Sequence, residues 1–160
     1  MQDGNPGAAI LLVEDNPHDV ELILHVFRWC NLSDQVRVAW DGKEALDYLF
    51  GSGEFAGRDT GAKPKVILLD LKLPKVDGLE VIRRIKGDPA TKTIPVVVFT
   101  SSNEDKDVVE SYDLGVNSYI VKPVNFDEFS MVIRDLGLYW RSINRPPIQK
   151  EHEGRGGPGA

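Results

Sequence analysis

A chain of 160 residues, 41% hydrophobic and 28% charged, suits one ordinary globular domain with a sizeable core. Nineteen basic against 25 acidic side chains leave a net charge of −6, which excludes broad electrostatic attraction to nucleic acid. No apolar run approaches the roughly 20 residues of a membrane helix, residue 2 is Gln2 rather than a myristoylation glycine, no signal segment opens the chain, and the lone Cys30 excludes a disulfide framework or cysteine metal cluster, so the expected location is cytoplasmic.

In chain order, Met1 to Gly7 is polar and glycine-containing, and is expected to be disordered. Ala8 to Val13 reads as a short apolar strand, followed at once by Glu14 and Asp15. Asn16 then caps a helix with Pro17 at its first position, where the missing N–H costs nothing. Leu22, Ile23, Val26 and Phe27 form its apolar stripe. Residues 36 to 40 read as the second strand. Asp41 and Glu44 have capping-box spacing and open a helix carrying Leu46, Leu49 and Phe50. Gly51 to Pro64 is longer than the usual connection of about 4–6 residues and reads as a mobile surface loop, with a partner contact as the alternative.

The next stretch organises the chain. Four consecutive apolar residues, Val66 to Leu69, read as a strand buried on both faces, because no polar side alternates with the apolar one. The run stops on Asp70, and Pro74 and Gly78 break the pattern before a new helix. Asp77 and Glu80 have capping-box spacing there, with Leu79, Ile82 and Ile85 as the stripe. Residues 94 to 99 read as the fourth strand, ending on Thr100 and Ser101. Ser102 and Asp105 fit a cap for a helix that Gly115 closes as a left-handed residue. The fifth strand, 117 to 121, ends on Lys122 and Pro123. Asn125 and Glu128 cap a last helix with Phe129, Val132, Ile133, Leu136 and Trp140 on one face, stopped by Pro146 and Pro147. The domain is expected to span 8 to 143, with 144 to 160 a flexible tail.

Five strands alternating with five helices imply right-handed crossovers and an α/β fold, a doubly wound parallel sheet covered on both faces. Ligands and chemistry in such sheets sit outside the carboxyl ends of the strands. The strand ends bring Glu14 and Asp15, Asp70, Thr100 and Lys122 to that edge; the second strand brings nothing obvious. Taken singly, Asp15, Thr100 and Lys122 each have a bland reading as helix-entry acid, strand residue or solvated cation, but their joint arrival at one edge is hard to obtain by chance. The chemistry that fits is phosphoryl transfer to a carboxylate. Three clustered carboxylates, Glu14, Asp15 and Asp70, call for a hard cation such as Mg²⁺. An ionised Asp70 is already a nucleophile, and Lys122 and Thr100 can offset charge on the transferred group.

These residues carry a resemblance. In order and spacing, Glu14-Asp15, Asp70 with Pro74 and Asp77-Gly78, Thr100-Ser101 and Lys122-Pro123 resemble the response-regulator receiver domains of two-component signalling. The resemblance implies a flavodoxin-like sheet of order 2-1-3-4-5. Asp70 is then the phosphoacceptor, and the backbone carbonyl of Lys72 a further Mg²⁺ ligand. Thr100 and Tyr119 are the switch residues, and the Lys122–Pro123 bond is cis. It also implies a protein that is no enzyme in its own right, though it assists its own phosphorylation and dephosphorylation, with a sensor histidine kinase as partner. A narrower resemblance, to the single-domain regulators paired with bacterial phytochrome kinases, rests on residues 13 to 17, the long loop before the third strand, residues 111 to 119 and the aromatic ending Leu138-Tyr139-Trp140. In that group the fourth helix, fifth strand and fifth helix form a two-fold dimer.

Too few residues follow the last helix for a helix-turn-helix or a catalytic output domain, so output is expected through a protein contact or onward transfer. The alternatives are a phosphate sink and a pseudo-receiver acting by contact alone. An aspartyl-nucleophile phosphatase is disfavoured because it would want a second acid two residues after Asp70, where Lys72 stands. An FMN carrier is disfavoured because Glu14-Asp15 would repel the phosphate. Cys30 reads as a small core or boundary residue, and His18 and His25 lack a third ligand. Met131, Leu138 and Tyr139 fall off the inward stripe of the last helix and are interface candidates for a homodimer.

Overall fold

The structure is a computed structural model that describes residues 7–147. Of the tails expected at 1 to 7 and 144 to 160, residues 1–6 and 148–160 lie outside the described residues. Five strands, β1 (Ile10–Val13), β2 (Val36–Ala39), β3 (Val66–Leu69), β4 (Val96–Thr100) and β5 (Ser118–Val121), alternate with α1 (Pro17–Trp29), α2 (Gly42–Phe50), α3 (Gly78–Gly87), α4 (Asp105–Leu114) and α5 (Phe126–Leu138). All neighbouring strands are parallel, in the order β2-β1-β3-β4-β5. Among the described residues no helix is long and apolar enough to cross a membrane.

Alternate residues of the central strands feed two separate cores, as the period of two requires. Leu11, Val13, Ile67, Leu69, Val96 and Val98 pack with Ala45, Leu49, Ile82 and Ile85 of α2 and α3. Ile10, Leu12, Val66, Leu68, Val97 and Phe99 pack on the other face with Ile23 and Phe27 of α1 and Phe129 and Ile133 of α5. The continuous apolar run at β3 thus reflects burial on both sides. Gly137 lets α5 close on α1, since a Cβ there would lie 2.7 Å from Phe27 Cε1 and 2.9 Å from Leu32 Cδ1.

The helix starts obey local chemistry in part. Asn16 accepts from the amides of His18 and Asp19, and Asn125 from those of Asp127 and Glu128. Asp41 accepts from Glu44 N at 2.8 Å, while the Glu44 carboxylate reaches back to Trp40 N at 3.1 Å. Asp77 makes no such cap, and Glu80 is drawn instead to Arg83 and Arg84. α4 starts at Asp105 behind Glu104, so Ser102 is not its cap; Ser102 Oγ donates to Asp107 Oδ2 at 2.6 Å. Gly115 closes α4 at φ 105°. In α2 the buried ring belongs to Tyr48, whereas Phe50 lies at the surface. The last helix ends at Leu138 and continues as a π turn, Tyr139–Ile143, which carries Trp140 into the core.

The 51–64 connection, read from sequence as mobile, is tied to α2. Arg58 Nε donates to the Tyr48 carbonyl at 2.7 Å, and its guanidinium lies 3.9 Å over the Tyr48 ring.

Candidate phosphoacceptor site

Register builds the site. Val13 pairs with both Ala39 and Leu69, so Glu14 and Asp70 leave the sheet side by side. Thr100 pairs with Val121, which places Lys122 one step beyond, and the Lys122 amide donates to the Thr100 carbonyl at 2.7 Å. Gly78 allows the start of α3 to fold under this edge, because a Cβ there would sit 2.5 Å from Leu71 Cα and 2.7 Å from the Asp70 carbonyl oxygen.

Asp70 is 6% exposed and held at both oxygens. Thr100 Oγ1 donates to its Oδ1 at 2.8 Å, the Lys72 amide to the same oxygen at 3.3 Å, and Lys122 Nζ to its Oδ2 at 2.9 Å. The same ammonium donates to Glu14 Oε2 at 2.7 Å and to Asp19 Oδ2 at 2.8 Å. Glu14 is 1% exposed, whereas Asp15 beside it faces solvent. Glu14, Asp15 and Asp70 each offer a carboxylate oxygen, all within 4.8 Å of one another.

The electrostatics follow from burial. Loss of water, added to by the charge of Asp70, pushes the Glu14 carboxyl up to about 7, although Lys122 and the Asn16 amide pull the other way. Burial also works against the Lys122 ammonium, but hydrogen bonds to Asp19 and Glu14 and the charge of Asp70 outweigh it, and its pKa is raised. Lys122 therefore remains a cation throughout the physiological range. A second chain of contacts leads away from Asp70. The Ser102 amide donates to Thr100 Oγ1 at 3.4 Å, and Tyr119 Oη donates to the Ser102 carbonyl at 2.9 Å.

The profile described as "Response regulator receiver domain" matches residues 10–134. The chain belongs to this family. Among curated relatives, the receiver is 38% identical to Response regulator Rcp1 of Synechocystis over 86% of this chain and 92% of that protein. It is 42% identical to the probable methanogenesis regulatory protein FilR2 of Methanothrix harundinacea, over 86% of each. Among solved structures, phosphorylated RcpA, a cyanobacterial phytochrome response regulator, superposes with a TM-score of 0.81 at 40% identity, covering 89% of this chain and 99% of that one. The bacteriophytochrome response regulator AtBRR gives 0.67 at 53% identity, covering 87% and 99%. A Mn²⁺-bound form of Rcp1 gives 0.80 at 37% identity, covering 87% and 98%.

Within this receiver, the five side chains expected at the sheet edge, Glu14, Asp15, Asp70, Thr100 and Lys122, do converge. The cis bond implied at Lys122–Pro123 is absent: every peptide bond among the described residues is trans. Trans is the lower form of an X–Pro bond by about 0.5–1 kcal/mol, and from it Lys122 Nζ already reaches Asp70 Oδ2. Asp19 is the residue the sequence reading missed. An acid in the first turn of a helix is ordinarily explained by the helix dipole; only its place, one turn past a cap at the active edge, hinted at more. Met131, Leu138 and Tyr139 lie at the surface and are not among the residues that converge here.

Proposed function

We propose that this receiver accepts a phosphoryl group on Asp70 from a phosphohistidine of a sensor kinase, and that Thr100 and Tyr119 carry the change to the face formed by α4, β5 and α5. The observation that supports it best is the treatment of Asp70, a nearly buried carboxylate with a hydroxyl donor on one oxygen and an ammonium on the other. In the transfer an Asp70 oxygen attacks phosphorus, the P–N bond to the donor imidazole breaks, and its electron pair stays on that nitrogen. Lys122 and Thr100 are placed to meet the charge on the phosphoryl oxygens.

The donor set suits a hard divalent cation. Glu14, Asp15 and Asp70 supply only oxygen ligands, clustered within 4.8 Å, and the Lys72 backbone carbonyl is the fourth ligand we assign. These residues would hold Mg²⁺, which would supply positive charge to offset that of the carboxylates and of the incoming phosphoryl oxygens.

Thr100 and Lys122 gain contacts to a phosphoryl group that exist only in the modified state, and only such differential contacts shift a conformational equilibrium. Tyr119, half-buried and hydrogen-bonded to the loop that follows Thr100, is the residue we assign to read the shift. Relatives that are phytochrome response regulators support a phytochrome-type kinase as donor, and our reading adds a cytoplasmic setting and a homodimer. FilR2 bears a different signal in its name, so transfer from candidate kinases decides the pairing.

Acetyl phosphate with Mg²⁺ tests the core of the reading. The wild type should gain one acid-labile phosphate and Asp70→Asn none, while Asp15→Ala should lose Mg²⁺ dependence together with most of the product. Labelling that persists in Asp70→Asn would mean that the nucleophile is another residue.

A further inference from the structure

Lys122 has three N–H donors and, in this structure, three carboxylate partners. Two of them, Glu14 and Asp70, also belong to the carboxylate cluster that suits a cation. Asp19 does not. It sits in the first turn of α1, its side chain 21% exposed, and among the described residues the hydrogen bond of its carboxylate is the one from Lys122 at 2.8 Å. We infer that Asp19 is a positioning residue for Lys122, fixing the ammonium so that one of its N–H bonds is aimed at Asp70 and the phosphoryl group that Asp70 accepts.

The physical need is clear from the side chain. A lysine ammonium is a point charge on a flexible four-carbon stem, with no fixed fork of its own to set direction. One carboxylate partner leaves it free to pivot; two, on different elements, define where the third N–H points. Glu14 comes from the end of β1 and Asp19 from α1, on either side of an ammonium whose side chain is only 9% exposed. Glu14 has a competing claim from the cation cluster, whereas Asp19 stands outside that cluster and keeps its hold on Lys122 when Asp70 is modified. The charge matters as much as the shape, because a hydrogen bond to an ionised acceptor is about twice as strong as one between neutral groups.

The inference rests on the phosphoacceptor reading of Asp70, and the test separates the two. Beryllofluoride, a non-covalent stand-in for the phosphoryl group, is titrated calorimetrically in saturating Mg²⁺ into wild type, Asp19→Asn, Lys122→Met and the double variant. Mg²⁺ alone is titrated in parallel. Asp19→Asn, which keeps the shape and removes the charge, should weaken beryllofluoride about tenfold and leave Mg²⁺ affinity within twofold. In the Lys122→Met background the same substitution should change beryllofluoride affinity by less than twofold, since Asp19 then has no ammonium to aim. As a readout that a merely structural role does not move, the ¹⁵N-resolved proton signal of the Lys122 ammonium should be slowed in solvent exchange in wild type and lost in Asp19→Asn. An equal loss in both backgrounds, no loss in either, or a parallel fall in Mg²⁺ affinity would overturn the inference. Failure of the wild type to bind beryllofluoride at all would instead remove the phosphoacceptor reading beneath it.

Discussion

Glu14 is almost fully buried beside a second carboxylate, and its folded state resists ionisation: its pKa stands at about 7 against an ordinary 4.5. The sign of its effect on stability follows. Between those two values the folded protein holds a proton that the unfolded chain has released, so this group's contribution to stability falls as pH rises through the interval and levels off above about 7. Glu14→Gln keeps an acceptor for Lys122 and removes the ionisation. In chelator at pH 8 that variant should melt a few degrees above wild type, and the difference should vanish near pH 4. A wild type that melts higher at pH 8 would contradict the account. The substitution should also weaken Mg²⁺ binding, because a cation needs the same carboxylate charge that destabilises the apo fold. Residues of this kind were legible in the sequence because each ends a strand: Glu14, Asp70, Thr100 and Lys122 are the first polar groups after apolar runs. Asp19 was not, because its role depends on how α1 leans over the sheet edge, and no local pattern encodes that angle.

At the scale of the elements, the strand and helix order could be read from apolar runs and caps, but the partners of polar side chains could not. Asp77 and Glu80 have the spacing of a capping box, yet Arg83 and Arg84, three and four positions on, take the Glu80 carboxylate. Ser102 has the right neighbours for a cap and instead links the loop after β4 to Asp107. Gly137 gave no signal at all, since a glycine inside a helix reads as a weak point. Its meaning is the distance between α1 and α5. Placing Val there inserts atoms where Phe27 Cε1 and Leu32 Cδ1 already lie within 3 Å of a Cβ, and both belong to a filled core. Overpacking of this sort costs about 1–3 kcal/mol. Gly137→Val should lower the denaturant midpoint accordingly, with an unchanged m-value, while Asp70 in the folded fraction still accepts phosphate from acetyl phosphate. Unaltered stability would mean that the α1–α5 approach is looser than the structure shows.

For the whole molecule, β5 is an edge strand, and the helices on either side of it leave apolar groups uncovered. Val109 and Tyr112 on α4 are 59% and 49% exposed, Val121 at the end of β5 is 44%, and Met131, Leu138 and Tyr139 along and after α5 are 54%, 39% and 44%. The inward side of α5 and of the π turn after it is satisfied separately, through Phe129 and Ile133 of the helix and Trp140 of the turn, so these outer groups are not needed by the monomer core. Burying apolar area is worth roughly 25 cal/mol per Å², an exposed sheet edge invites a partner, and a two-fold contact uses the same patch twice. The active edge sits at the carboxyl ends of the strands, away from the outer face of α5, so one protomer can be modified while the other is held. We therefore expect a homodimer through α4, β5 and α5, with the Arg58-anchored 51–64 segment outside the contact. Sedimentation velocity at micromolar concentration should show it, and Tyr139→Glu, which sets a charge among these exposed apolar groups, should shift the population to monomer without reducing phosphorylation at Asp70. A single monomeric species in wild type, with or without acetyl phosphate, would refute the homodimer.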